Sequence, residues 1–186
     1  MATLALLDES EPEVQKFFLQ AVTWCMRIGV LSDTHSRYRT VETALEILHQ
    51  RGIRLVLHCG DIEDAQTVAL FEPFDSHFVF GNCDWDKAEL ARAIDEIGGT
   101  LHDRFGLLEA GDITIAWTHG DDKRLFRQLE SEEHDFLFYG HSHAAEQHRS
   151  GSTLVVNPGA LHRAKPKTFV ILDTDTRKIE SIVVDS

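Results

Sequence analysis

Between residues 27 and 97 the chain alternates three short apolar runs with three stretches of helical periodicity, and that alternation restricts it to a largely parallel sheet. The runs are RIGVL (27–31), RLVLH (54–58) and HFVF (77–80), and the helical stretches cover 40–50, 64–72 and 86–97. Parallel neighbours cannot be joined by a tight turn, so strand, crossover helix and next strand form the natural unit. The second half changes pattern. GLLEAGDITIAWTHG (106–120) reads as a hairpin turning at Gly111-Asp112, and a helix is expected over 123–132. FLFYG, STLVVNPG and KTFVILDTDTRKIESIVV then supply four more strands, the last two joined through Asp173 to Arg177. A parallel half followed by a strand-rich half predicts an α/β (α+β) fold: a four-layer αββα sandwich of two mixed sheets packed face to face with helices outside.

At 186 residues and 42% hydrophobic, the chain is long enough for one substantial core and short for two domains. Residues 26–186 are expected to form a single domain, with 1–25 as an extension. Ser10-Glu11-Pro12-Glu13 has the layout of a helix start, with Ser10 as N-cap and Glu13 able to reach back to its amide. Val14, Phe17, Phe18, Ala21 and Val22 follow at helical spacing. That apolar stripe calls for a cover, either the main body or a second copy of the chain in a homo-oligomer. Acidic residues so near the start argue against a targeting peptide.

Charge narrows the partners. With 18 Lys+Arg against 31 Asp+Glu, the formal charge is -13, so the surface as a whole repels nucleic acid and anionic membrane. No apolar run approaches the roughly 20 residues that cross a bilayer. Cys25, Cys59 and Cys83 are a sparse, odd set that fits a reducing cytoplasm.

The residues just after each strand carry the chemistry. They are Asp33-Thr34-His35, Gly60-Asp61, Gly81-Asn82-Cys83-Asp84, Thr118-His119-Gly120 and Gly140-His141-Ser142-His143. Each cluster offers a carboxylate, carboxamide or imidazole at the carboxyl end of an expected strand, the edge where α/β sheets bind ligands. Oxygen and nitrogen donors without a nucleophile-base pairing point to divalent metal.

In this order the clusters resemble those of the calcineurin-like metallophosphoesterases. MRIGVLSDTH at the domain start and the later NPGA are similar to the small prokaryotic phosphodiesterases of the YfcE and MJ0936 type. The resemblance covers about residues 26 to 184 and implies two divalent ions. Asp33, His35, Asp61 and His143 would hold one; Asp61, Asn82, His119 and His141 would hold the other, with Asp61 bridging. Mn²⁺ is the expected ion, and the donor set also suits Fe²⁺, Ni²⁺ or Zn²⁺.

Such a pair, about 3.5–4 Å apart, shares a hydroxide at neutral pH and clamps phosphoryl oxygens. The expected reaction is hydrolysis of a small phosphodiester, with Asp61, Asn82 and Asp84 serving catalysis and Asp84 orienting a ligand or solvent. A nuclease or phosphomonoesterase with the same ions is the enzymatic alternative. A non-catalytic scaffold like the retromer subunit of this fold is the other.

Several positions depart from the superfamily pattern. Cys83 stands where many members carry a histidine proposed to protonate the leaving group, Asp121 replaces a second histidine and Ala160 a serine. His162 could replace the acid, although a surface position is the plainer expectation. Arg163, Lys165 and Lys167 read as a solvated loop, with a phosphate contact as the alternative. His58 is expected to steady a loop behind the ligands.

Overall fold

The computed structural model describes residues 26–185. In chain order the elements are β1 (Arg27–Leu31), α1 (Tyr38–Gln50), β2 (Leu55–His58), α2 (Ala65–Ala69), β3 (Asp75–Phe78), α3 (Lys87–Glu96) and β4 (Thr100–Leu101). There follow β5 (Phe105–Ala110), β6 (Ile113–Thr118), α4 (Lys123–Ser131), β7 (Phe136–Phe138), β8 (Glu146–Ser150), β9 (Thr153–Asn157), β10 (Thr168–Asp173) and β11 (Lys178–Val183). The amphipathic helix expected near Val14 and Phe17 lies outside the described residues.

Two mixed sheets form the centre. The first runs β11-β10-β1-β2-β3-β4, and the second β5-β6-β7-β9-β8. β1 to β4 are mutually parallel, while β10 joins β1 antiparallel. In the second sheet β6, β7 and β9 are parallel and β5 and β8 are antiparallel edges.

Alternation along the strands sorts side chains into three apolar layers. Ile28, Val30, Leu57, Val170 and Leu172 of the first sheet meet Ile113, Ile115, Trp117, Phe136 and Phe138 of the second. On the outer face of the first sheet, Leu31, Val56, Phe169 and Ile171 pack with Val41, Ala44, Leu45 and Leu48 of α1. Those four recur at the spacing of one helical face. Gly29 allows the approach, since a Cβ there would stand 2.8 Å from both methyls of Leu48. Leu129 of α4 closes the opposite side on Ala116, Leu137 and Val155. The expected αββα layering is the observed one.

Besides shifts at helix ends, with α1 starting at Tyr38 and α2 stopping at Ala69, three details differ from the sequence reading. β3 begins at Asp75 rather than His77, because Asp75 pairs with Leu55 in register with β2. β4 has two residues, too few to show a period. β8 is exposed for four of its five residues, so it carries no apolar alternation and is held by its ladder to β9.

Candidate metal centre

All five clusters come together at the carboxyl edges of the two sheets. Asp33 follows β1, Asp61 follows β2 and Asn82 follows β3, whereas His119 follows β6 and His141 and His143 follow β7. The loops are strained. Asp33, His35, Asp61, His141 and His143 all have positive φ, between 43° and 65°. Side chains with a Cβ pay for the left-handed region, and such outliers persist where surrounding contacts over-determine them.

Those contacts are on view. Asp84, 2% exposed, accepts the amides of Asp61 and Gly81 on Oδ2 (3.0 and 2.7 Å) and those of Ile62 and Glu63 on Oδ1 (2.7 and 2.8 Å). Both oxygens of Asp84 are taken up by backbone, so its part is to hold the loop of the expected ligand Asp61 and not to reach solvent. Burial pushes its carboxyl above the usual range, against the pull of those amides. His58 plays the supporting part expected of it. Its Nδ1 accepts the Gly60 amide at 3.1 Å, its Nε2 lies 3.1 Å from Thr34 Oγ1, and burial drives its pKa down to about 3. Asn157, from the Asn-Pro-Gly turn, donates from Nδ2 to the Gly140 carbonyl and to Ser142 Oγ, which secures the loop of His141 and His143.

Two glycines make room. A Cβ at Gly81 would stand 2.5 Å from the Asp61 amide nitrogen, and one at Gly140 would stand 2.6 Å from Asp33 Oδ2.

Donor atoms of Asp33, His35, Asp61 and His143 lie within 4.8 Å of one another and could hold a metal ion. Nδ1 of His35 faces Glu63 Oε1 at 2.7 Å, so the proton belongs there and Nε2 is left bare. That nitrogen lies 3.5 Å from Asp61 Oδ2 and 3.3 Å from His143 Nε2. Asp33 Oδ1 is buried without a hydrogen-bond donor, 3.2 Å from His143 Nε2. Donors packed this closely need a proton or a cation among them, and two imidazoles with two carboxylates suit a divalent ion, so the residues fit the implied group.

The second set converges as well. His119 Nδ1 faces the Cys59 carbonyl at 2.9 Å, and its Nε2 lies 3.0 Å from Asn82 Oδ1 and 3.4 Å from Asp61 Oδ2. Burial alone would depress His119, yet the Asp61 carboxylate lifts it to about 9: the site demands positive charge at this point. Asp61 in turn is held at about 2, the pull of His119 and of the Cys83 amide outweighing burial. The His141 ring is edge-on to His119 with centroids 5.1 Å apart, and its amide donates to Asp33 Oδ2.

A cleft of about 370 Å³ opens over these groups. Besides the expected residues it is lined by Arg37, Glu63, Cys83, His162 and Arg163. His162 is therefore a site residue and not a surface one. Its ring lies 5.0 Å from that of His35, and its Nδ1 accepts from Arg37 Nε at 2.9 Å. Arg37 and Glu63 each stand two positions after an expected ligand, His35 and Asp61, but nothing in their local pattern separates them from ordinary surface charges.

The profile of the calcineurin-like phosphoesterase superfamily domain matches residues 26–177, and the chain belongs to that superfamily. It is 28% identical over 166 residues to phosphodiesterase MJ0936 of Methanocaldococcus jannaschii, covering 86% of this chain and all of that protein. A solved structure of an archaeal phosphodiesterase superposes with a TM-score of 0.78 at 28% identity, covering 85% of this chain and 99% of the other. Vps29 of Chaetomium thermophilum shares the fold at 16% identity, with a TM-score of 0.62 over 85% of this chain and 95% of its own. Among the described residues no helix is long and apolar enough to cross a membrane.

Proposed function

We propose that the chain is a metal-dependent hydrolase of small phosphodiesters that uses two divalent ions, with Mn²⁺ as the activating metal and the cytoplasm as its compartment. The observation that carries this reading is the convergence of two imidazole nitrogens on Asp61: His35 Nε2 at 3.5 Å and His119 Nε2 at 3.4 Å, from opposite sheets. When bound, the ions would supply a water of lowered pKa and a Lewis-acid clamp on the phosphoryl oxygens. Asp33, His35, Asp61 and His143 would hold one, and Asp61, Asn82, His119 and His141 the other.

The chain's own residues prepare that arrangement. Glu63 and the Cys59 carbonyl fix the Nδ1 protons of His35 and His119, so both rings present Nε2 inward. Cys83, in the place of the superfamily's histidine, has its amide on Asp61 Oδ1. Burial and then the Asp61 carboxylate push its thiol up to about 11, so Sγ keeps its proton at neutral pH and is a weak acid toward a leaving group.

The test is an assay of metal-stripped protein against bis(p-nitrophenyl) phosphate, p-nitrophenyl phosphate, cyclic nucleotides and an oligonucleotide, with Mn²⁺, Zn²⁺, Ni²⁺ or Fe²⁺ restored in turn. Turnover of the aryl diester with Mn²⁺ is the expected result. A preference for the monoester or the oligonucleotide would move the assignment to the corresponding alternative. Inert protein under every metal would favour a scaffold.

A further inference from the structure

Two guanidinium groups line the cleft without a carboxylate partner. Among the described residues Arg51, Arg104 and Arg177 pair with Glu180, Asp122 and Asp135, while Arg37 and Arg163 belong to the arginines without a carboxylate and are the two that line the cleft. Among the described residues the Arg37 guanidinium makes a single hydrogen bond, to His162, and that of Arg163 makes none. Both side chains are exposed and both face the cleft. Arg163 also holds a φ of 51°, a conformation unfavourable for a residue with a Cβ. Arg37 stands at the start of α1, which has no side-chain cap, so the helix adds positive potential to the same wall.

The position of this wall decides what it can bind. His162 contacts both Arg37 and the expected ligands, with its Nδ1 on Arg37 Nε and its ring 5.0 Å from His35 and 6.4 Å from His143. With His162 as the link between them, Arg37 is placed to meet a group adjoining the reacting phosphoryl. Because Nδ1 of His162 accepts from Arg37, its proton sits on Nε2, which makes the ring a neutral hydrogen-bond donor.

We propose that Arg37, His162 and Arg163 form a subsite for a second phosphate carried by the substrate next to the ester that is cut. The inference rests on the phosphodiesterase reading of the same cleft and narrows its substrate class to diesters bearing a further phosphate. Two guanidiniums and a fixed N–H donor match the geometry and charge of that group.

The test compares thymidine 5′-(p-nitrophenyl phosphate) with the same ester phosphorylated at the 3′ oxygen, so that the leaving group is constant. Wild-type protein with Mn²⁺ is expected to favour the 3′-phosphorylated ester about tenfold in kcat/KM, the scale of a charge-assisted contact. Arg37→Gln/Arg163→Gln should bring the ratio close to one. Calorimetry with thymidine 3′,5′-bisphosphate and thymidine 5′-monophosphate gives a readout that needs no turnover, and about tenfold tighter binding of the bisphosphate is expected in wild type only. If the esters are cleaved but both ratios are the same in wild type and variant, the subsite is overturned and the hydrolase reading survives. If neither ester is cleaved while the bisphosphate keeps its advantage, the subsite stands and the hydrolase reading falls.

Discussion

Nε2 of His35 and Nε2 of His143 face each other at 3.3 Å, although 108 residues separate them in the chain. With Glu63 holding the other nitrogen of His35, two imidazoles and two carboxylates point their lone pairs at one small volume. Mutual repulsion should then destabilise the protein when no cation is bound.

Adding Mn²⁺ to chelator-stripped protein is therefore expected to raise Tm in a concentration-dependent manner, since a ligand at about 100 times its Kd stabilises by about 2.7 kcal/mol. His143→Ala should lose most of that increment while unfolding cooperatively. Scanning calorimetry across a metal titration checks it, and an unchanged Tm would remove the basis of the site.

Asp84→Asn keeps the shape of a residue whose two oxygens accept four amides, but turns one acceptor into a donor facing two N–H groups. A loss of about 2–4 kcal/mol is expected from the unmade bonds. Metal affinity should fall with it because Asp61 rides on the same loop. Urea unfolding and metal titration would expose the error if Asp84→Asn were as stable as wild type.

His58 gives stability a pH dependence. Its pKa is about 3 in the folded protein against an ordinary 6.5, so in this interval the unfolded chain binds a proton that the native one refuses. The sign follows: stability is intact above 6.5 and is lost as pH falls toward 3, at up to about 1.4 kcal/mol per unit. His58→Gln should flatten the difference in slope between pH 6.5 and 4, read by urea unfolding at each pH.

Gly140→Ala would force a methyl against Ser32 Oγ and Asp33 Oδ2, both buried. Overpacking of this kind costs about 1–3 kcal/mol. The larger expected effect is on activity, with kcat/KM for an aryl diester down by about 100-fold or more, since small displacements of positioned groups have such consequences.

Cys83 predicts a dependence on the leaving group. A thiol held near 11 gives little proton donation at neutral pH, so aryl diesters should be cleaved far faster than alkyl diesters. Cys83→His should narrow that gap by about tenfold or more if the new imidazole supplies the proton. Comparable rates on both esters in wild type would contradict the assignment.

The legible part of this chain is the part where one local rule decides. β1 and β6 are apolar on alternate or successive positions, and each breaks into a turn at a polar ligand type, so both the strand and the position of Asp33 or His119 could be read directly. β8 was hidden because a wet edge strand has no hydrophobic face to display. Glu63 and Arg37 were hidden, and His162 was named but expected at the surface, for a different reason. Their importance lies in pairings across 28 and 125 residues, His35 with Glu63 and Arg37 with His162, which only the crossing of loops creates. The way Asp84 acts was not legible, since its neighbours in sequence do not reveal four inward-turned amides.

Half of the donors around Asp61 hang from one sheet and half from the other. A chain with only its amino-terminal layer assembled would own Asp33, Asp61 and Asn82 but lack every imidazole except His35, and so could retain an ion only weakly. Cation retention would therefore report on closure of the seam between the two sheets.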